Sequence, residues 1–481
     1  LKPPRVPSPG PKRPPAVAGQ RPAPGPSCPA LSTRTPTMPA QEEAGPTAFE
    51  VHLGQLSDNL VRNPIRTVTL KSMQTPGCIT AAGGRPPADA FPSACGETPD
   101  QDLMNYGASL AVGSAKLREW AKAFVQRQHA PPCGWERLDV IMTPGNTNSI
   151  AMALMLCSDA GDPVLCEELT YTGLMAAARP LGRRCVGVKM DADGMLPSEL
   201  RAKAQALTAE GRAARMLYLV PTGHNPTTLT VPEARRRELY AVARECGLLI
   251  VEDDPYFHLF LGPEAAAGEA DMPGLTPGAG PPSFLALDTD GRVCRFDSSS
   301  KILAPGFRLG WLTGPKALTQ RLALMAEVLT SPLSGFGQQA MLGCLEELGE
   351  EGLHRQVQSV QWLYRRRRDY CLAAFERHLP GLASWSAPEA GMFLWLEVLG
   401  VADACRLAEA LVDRGVALVP GSAFQAEAGA PCSHFRVSFT QLTEEAAEEA
   451  AKRLAAAFGD EAWLASHGCS RAAGGRPAAA A

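Results

Sequence analysis

The alternation of short apolar runs with longer helical stretches constrains the fold of this chain most strongly. Several runs are continuous in Val, Ile and Leu, which is typical of parallel strands covered by helices on both faces. The runs that predict strands are Arg137–Met142, Pro163–Cys166, Arg184–Val188, Met216–Val220, Leu248–Glu252, Phe284–Leu287 and Val293–Phe296. This pattern predicts an α/β fold with a mainly parallel seven-stranded sheet between helices.

The last third of the sequence has a different character. The predicted strands there are Met392–Val398, Val416–Val419 and Phe435–Phe439, which indicate a smaller α+β domain. Helical patterns cover Ser149–Leu156, Val231–Cys246, Lys316–Glu350, Gly352–His378 and Glu444–Phe458. We therefore expect a large ligand-binding domain over residues 101–335 and a small domain over 336–465.

The two ends have low-complexity composition. Residues 1–45 are rich in Pro, and up to Gln41 they contain six basic and no acidic residues. This favours a disordered extension; a transit peptide and an untranslated stretch before Met38 remain alternatives. Residues 46–100 are expected to form an arm that packs on the small domain, and 466–481 a second disordered tail.

Composition excludes several function classes. With 481 residues and a net charge of −4, the chain has no basic excess for nucleic acid or an anionic membrane. No apolar run is long enough to span a bilayer. The 14 cysteines are scattered without a CxxC pair, which favours free thiols in a reducing compartment and no metal site. The expected location is the cytoplasm, or a mitochondrion or plastid if the extension is a transit peptide.

Three polar clusters each follow a predicted parallel strand. They are Pro221–Thr227, Glu252–Tyr256 and Asp297–Lys301, the last continuing into Pro305–Trp311. Alone, each has an ordinary interpretation as a turn, a helix cap or solvated charge. Because the carboxyl ends of parallel strands meet at one edge, where ligands bind, the three together predict a single site.

Their chemistry suits a phosphorylated pyridine aldehyde. Lys301 provides an amine for a Schiff base, while Ser298, Ser300 and Arg308 can hold a phosphate. Asp253 can pair with a protonated pyridine nitrogen, which makes the ring an electron sink. Tyr256 and Asn225 can reach the ring hydroxyl. These residues predict pyridoxal 5′-phosphate (PLP) as cofactor.

From about Asn59 to Phe458 the sequence resembles the fold type I, class I/II aminotransferases, within them the 2-aminoadipate/kynurenine and fungal aromatic branch. The motifs that carry the resemblance are Arg62–Arg66, Ala82–Pro86, Asn105–Gly107, Gly145–Thr147, Glu252–Tyr256, Ser298–Lys301, Ala390–Trp395 and Phe435–Ser438. The resemblance implies the PLP-transferase fold. It also implies that Lys301 is the acid/base that moves the substrate proton.

Further roles follow from the resemblance alone. Gly145, Asn146 and Thr147 would present backbone amides and a hydroxyl to the phosphate, and Tyr171 would stack on the ring. Tyr106 would reach the phosphate of a neighbouring subunit, which implies a homodimer with shared active sites. The residues implied to bind substrate are Arg436, at the α-carboxylate, with Asn225, Arg66, Gly84 and Phe393.

Five positions stand out against the family pattern. Thr228 replaces a glycine, so the turn is expected to rearrange if it needs positive φ. Asn146–Thr147 replaces Ser-Gln, and His224 and Arg85 have no assigned role. These departures bear on substrate choice.

The expected reaction is ping-pong transfer of an amino group from an L-amino acid to a 2-oxo acid such as 2-oxoglutarate. The expected donors are aromatic amino acids, kynurenine, 2-aminoadipate or Leu/Met-like residues. A PLP-dependent lyase or synthase on the same fold is the alternative. A non-catalytic PLP-sensing regulator is disfavoured, because the Pro-rich extension cannot form the DNA-binding helices of such proteins.

Overall fold

The structure is a computed structural model that describes residues 64–82, 112–262, 280–329 and 333–471. Its largest sheet has seven strands in the order β1-β7-β6-β5-β4-β2-β3. These are β1 Leu138–Thr143, β2 Pro163–Glu167, β3 Arg184–Val188, β4 Met216–Leu219, β5 Leu249–Asp253, β6 Val293–Ser298 and β7 Gly310–Pro315. Strand β7 runs opposite to the other six strands of this sheet. The predicted mainly parallel sheet is confirmed.

Helices connect the strands and continue beyond them. They are Pro64–Gln74, Ala115–His129, Asn146–Cys157, Thr172–Ala178, Pro197–Ala209, Glu233–Glu245, Phe284–Leu287, Lys316–Leu329, Gly335–His378, Ala408–Asp413, Glu444–Phe458 and Glu461–Ser466. The strands β2 and β4 are buried along their whole length, as their continuous apolar sequences require.

One predicted strand was wrong. Phe284–Leu287 is a short helix, because Ser283 Oγ caps it by accepting the Ala286 N–H at 3.0 Å. The Glu252 carboxylate also accepts the N–H groups of Phe284 and Leu285, at 2.8 and 3.1 Å. The seventh strand is instead Gly310–Pro315, which lies between β1 and β6.

A second sheet follows in the C-terminal third. Its strands, in the order β8-β9-β11-β10, are β8 Ala383–Trp385, β9 Phe393–Val398, β10 Val419–Pro420 and β11 His434–Ser438. The predicted strand Val416–Val419 is divided: Val416–Ala417 pairs instead with Ile79–Thr80 in a parallel two-stranded sheet. A remaining antiparallel pair joins Met190–Asp191 to Gly194–Met195.

The predicted helix Lys316–Glu350 was also wrong in extent. One helix ends at Leu329, and the next runs from Gly335 to His378 with a kink at Gly349, where φ is 58°. The predicted domain boundaries stay predictions, and residues 1–63 and 472–481 lie outside the described ranges.

Two glycines bring the sheets into backbone contact. A Cβ atom on Gly223, which follows β4, would lie 2.7 Å from the Gly391 Cα, just before β9. Both residues have positive φ, 50° and 88°. Only glycine permits this approach, and it places the Asn225 loop beside the first residues of β9.

No helix within the described ranges is long and apolar enough to cross a membrane. The same residues contain no group of three His, Cys, Asp or Glu side chains placed to hold a metal ion.

Candidate active site

The three polar clusters meet at the carboxyl edge of the large sheet, around a cavity of about 290 Å³. The predicted site residues that line it are Gly145, Asn146, Thr147, Tyr171, Asn225, Asp253, Tyr256, Ser298, Ser300, Lys301, Arg308, Phe393 and Arg436. Parallel strands that end together explain why positions so distant in sequence converge.

Lys301 lies in the turn that follows β6 and is half-buried at the cavity wall. Ser299 fixes this turn, because its side chain donates to the Leu309 carbonyl at 2.6 Å. Desolvation by the cavity walls, and then the charges of Arg436 and Arg308, lower the pKa of Lys301 to about 8. The amine is therefore more readily deprotonated than an exposed lysine, as a nucleophile must be.

Asp253 ends β5, and both of its carboxylate oxygens are bound. Asn146 Nδ2 donates to one oxygen and the Tyr218 hydroxyl to the other, each at 2.6 Å. Burial raises the pKa of Asp253 to about 6, against the lowering effect of these two hydrogen bonds. Because a carboxylate accepts about four hydrogen bonds, Asp253 keeps acceptor capacity toward the cavity.

One end of the cavity suits a phosphate. The helix Asn146–Cys157 begins there, so its first N–H groups lack intrahelical acceptors and attract anions. The Arg308 guanidinium lies against it, donating to the Pro144 carbonyl at 3.3 Å. A Cβ on Gly145 would come within 3.3 Å of Arg308 Nη2. Ser298 and Ser300 line the same cavity.

The other end suits a carboxylate. Arg436, on β11, donates to Asn225 Oδ1 at 2.9 Å and to the Ala82 carbonyl at 2.6 Å. Its guanidinium lies 4.1 Å from the Phe393 ring centre and 5.2 Å from that of Phe424. Arg436 Nε is buried with no hydrogen-bond partner among the described residues. Three of its five N–H donors therefore remain for a ligand.

Two phenols lie between these ends. Tyr171 lines the cavity together with Thr147. Tyr256 accepts from Asn225 Nδ2 at 3.4 Å and packs edge-on against Phe393. Burial raises the pKa of both phenols, so they remain protonated donors at neutral pH.

Some predicted residues are not brought together here. Tyr106, Gly84 and Arg85 lie outside the described residues. Arg66 belongs to the helix Pro64–Gln74, and only the backbone of Arg66 is described. Their roles stay predictions.

Sequence reasoning missed several supporting side chains. Tyr218, a lone aromatic residue in the aliphatic strand β4, binds Asp253. Arg295 is fully buried in β6 and contacts the carboxylates of Glu252 at 3.1 Å, Asp254 at 3.3 Å and Asp297 at 2.9 Å. A cation inside an apolar strand was the available signal, since buried charges require partners. This network fixes the residues next to Asp253 and Ser298.

The turn after β4 keeps the conformation that the replaced glycine would favour. Thr228 has a φ of 69°, and its N–H donates to the His224 carbonyl at 2.6 Å. The expected rearrangement was therefore wrong. His224 is buried, accepts the Thr227 N–H at its Nδ1, and has Nε2 3.8 Å from Glu167. Burial lowers the pKa of His224 to about 3, which keeps the ring neutral.

The cavity fits pyridoxal phosphate on its own geometry. One cavity is lined by the desolvated amine of Lys301 and by the buried carboxylate of Asp253, which can accept further hydrogen bonds. The start of the helix Asn146–Cys157 and the cation of Arg308 line it as well. The unpartnered Arg436 Nε supplies the remaining feature, a donor for a second ligand group.

Comparisons with known proteins agree. The family Aminotransferase class I and II matches residues 85–454. The mitochondrial kynurenine/alpha-aminoadipate aminotransferase of Rattus norvegicus is 33% identical over 82% of this chain and 95% of its own length. An aromatic amino acid aminotransferase of Schizosaccharomyces pombe is 35% identical over 74% of this chain and 78% of its own.

A solved structure shows the same architecture. The Pyrococcus horikoshii kynurenine aminotransferase, crystallised with PMP (the amine form of the cofactor), superposes with a TM-score of 0.73 and 27% identity. The match covers 85% of this chain and 96% of that one. The PLP-dependent lyase alternative is not favoured. The chain belongs to the class I and II aminotransferases, and it is a pyridoxal-phosphate-dependent aminotransferase of fold type I.

Proposed function

We propose that this aminotransferase takes its amino group from L-amino acids with aromatic or long apolar side chains, kynurenine among them, and also from 2-aminoadipate. The observation that carries this is the aromatic lining beside Arg436, where Phe393, Tyr256 and Tyr171 face the cavity. Flat apolar walls favour side chains of that kind. The names of the rat and S. pombe relatives point the same way. We infer 2-oxoglutarate as acceptor.

The residues divide the work between the two ends of the cavity. Lys301 holds the cofactor aldehyde covalently, and its Nζ moves the proton of the substrate Cα. Asp253, oriented by Asn146 and Tyr218, accepts the hydrogen bond of the ring nitrogen. When bound, pyridoxal phosphate withdraws electrons from the substrate Cα. Tyr256 would donate a hydrogen bond to the oxygen of the ring hydroxyl.

Binding and orientation come from the remaining side chains. Arg308, Ser298, Ser300 and the start of the helix Asn146–Cys157 hold the phosphate. At the opposite end Arg436 holds the substrate α-carboxylate in a bidentate pair, and Asn225 fixes the guanidinium. We assign Arg66 and Gly84 to the substrate side chain on the resemblance alone.

Lys301→Ala tests the covalent role. We expect the variant to lose turnover, and borohydride reduction of cofactor-loaded wild-type protein to label a peptide that contains Lys301. A coloured, active variant would contradict the assignment. A panel of L-amino acids with 2-oxoglutarate on the wild type tests the donor class, and a preference for aspartate would refute it.

We further propose a homodimer in which Tyr106 reaches the phosphate of the other subunit. Lys301→Ala and Tyr106→Ala subunits, each inactive or impaired alone, would then form one intact site when mixed. Light scattering measures the dimer directly. Failure of the mixture to recover activity, with dimers present, would refute the shared site.

We propose a mitochondrial location. The acid-free, basic residues 1–41 and the mitochondrial rat relative support it. A fluorescent fusion to residues 1–45 that stays in the cytosol would contradict it.

A further inference from the structure

A pair of cysteines lies outside the active site, where the second sheet begins its last strand. The Cys405 N–H donates to the Cys432 carbonyl at 3.2 Å, so the two backbones are in direct contact. Each thiol is the largest single influence on the pKa of the other. Both are reduced in this structure.

A turn of the backbone holds both sulfur atoms. The Ser422 N–H donates to Cys405 Sγ at 3.3 Å. A Cβ on Gly421 would lie 2.6 Å from Cys432 Sγ, so this sulfur packs directly on the glycine. The same turn therefore positions the two thiols against one another.

The pair is reachable and chemically poised. Cys405 is partly exposed, and Cys432, although buried, lines a surface cavity of about 500 Å³ together with Ser433 and His434. The contact with Cys432, and then the Ser422 N–H, lower the pKa of Cys405 to about 7. A lowered pKa favours the thiolate, which is the nucleophile in disulfide exchange.

We propose that Cys405 and Cys432 form a modification site, a dithiol pair that a low-molecular-weight disulfide oxidises to an intramolecular disulfide. The Cys405 thiolate attacks one sulfur of the small disulfide, forming a mixed disulfide and releasing one thiolate. Cys432 loses its proton and attacks Cys405 Sγ, which releases the second. The protein loses two electrons and two protons, and the small disulfide becomes two thiols.

The pair is connected to the carboxylate end of the active site. The turn Gly421–Phe424 ends in Phe424, whose ring lies 5.2 Å from the Arg436 guanidinium. The Phe424 carbonyl accepts the Thr170 N–H at 2.7 Å, next to Tyr171. Because Cys432 precedes the strand of Arg436, we expect oxidation to raise the KM for the amino donor reversibly.

The chain contains its own control pair. Cys166 and Cys185 lie on the adjacent strands β2 and β3, and both are buried, whereas Cys405 of the proposed pair is partly exposed. The contact with Cys185, and then burial, raise the pKa of Cys166. Cys469 lies nearby and donates to the Asp403 carbonyl at 3.4 Å, which makes it the alternative partner.

The test incubates cofactor-loaded full-length protein with oxidised glutathione, quenches with acid, alkylates the free thiols and maps peptides without reduction. We expect a Cys405–Cys432 linked peptide that dithiothreitol removes, and no Cys166–Cys185 link. In the Cys432→Ser variant we expect a stable glutathione adduct on Cys405. Any change in the donor KM of this variant should then come from the adduct alone.

Absence of the linked peptide, or a Cys405–Cys469 link in its place, would overturn the proposed pair. A fully linked protein with an unchanged donor KM would overturn the connection to Arg436. The peptide map requires no turnover, so its result does not depend on the donor class proposed above, and the KM comparison uses whichever donor the wild type accepts.

Discussion

Replacement of Arg436 tests the carboxylate end of the site most directly. The wild-type guanidinium is held by Asn225 and the Ala82 carbonyl, with three N–H donors left for substrate. Each charge-assisted hydrogen bond contributes roughly 1.5–3 kcal/mol. Arg436→Lys keeps the charge but loses the fork, so one such bond disappears. We expect kcat/KM to fall roughly 10- to 150-fold.

Arg436→Ala is expected to have a larger effect. It leaves the Asn225 amide oxygen and the substrate carboxylate without their cation, a loss of about 3–5 kcal/mol for a buried pair. The corresponding fall in kcat/KM is roughly 150- to 5000-fold. Steady-state kinetics with a preferred donor measures it, and the visible absorbance of bound cofactor reports an intact site.

The exposed Arg237, paired with Glu233 at 2.6 Å, provides the matched control. Arg237→Ala should retain wild-type kinetics. An Arg436→Ala enzyme with unchanged kcat/KM would remove Arg436 from substrate binding. Loss of cofactor absorbance would instead assign it a structural role.

Two further predictions concern stability. In Arg295→Met, three buried carboxylates lose their shared cation, so the free energy of unfolding at pH 7 should fall by about 3–5 kcal/mol; equal urea midpoints for variant and wild type would contradict this. Burial raises the pKa of Glu167 from 4.5 to about 8. Between pH 4.5 and about 8 the folded state therefore keeps Glu167 protonated, whereas the unfolded state does not. The contribution of Glu167 to the free energy of unfolding is lost as pH rises through this range. The Tm of wild type relative to Glu167→Gln should therefore decrease from pH 5 to 8, and parallel Tm curves would argue against a buried, protonated Glu167.

The sequence predicted which polar clusters meet at the site better than it predicted the side chains that hold them in place. The clusters around Asn225, Asp253 and Lys301 could be placed together, because each follows a parallel strand and such strands end at one edge. Asn146 was assigned to the phosphate through its backbone amide, and the hydrogen bond of its side chain to Asp253 was not predicted. Nothing local to Asn146 indicates a carboxylate 107 positions away in the chain.

The errors in the fold have the same origin. Phe284–Leu287 is apolar enough for a strand, but the Glu252 carboxylate captures its N–H groups and favours the helix. Gly310–Pro315 begins with Gly and ends with Gly-Pro, residues that are rare in strands, and its pairing with β1 and β6 makes it a strand. Tertiary contacts thus decided both elements.

The contact between Gly223 and Gly391 sets a dimension of the binding site. Asn225 lies two residues beyond one glycine, and Phe393, under the Arg436 guanidinium, two beyond the other. A methyl group at either position would wedge the loop away from the strand and stretch the 2.9 Å bond between amide and guanidinium. The spacing between the Asn225 loop and β9, which positions the groups proposed to bind the substrate carboxylate, therefore depends on two residues without side chains.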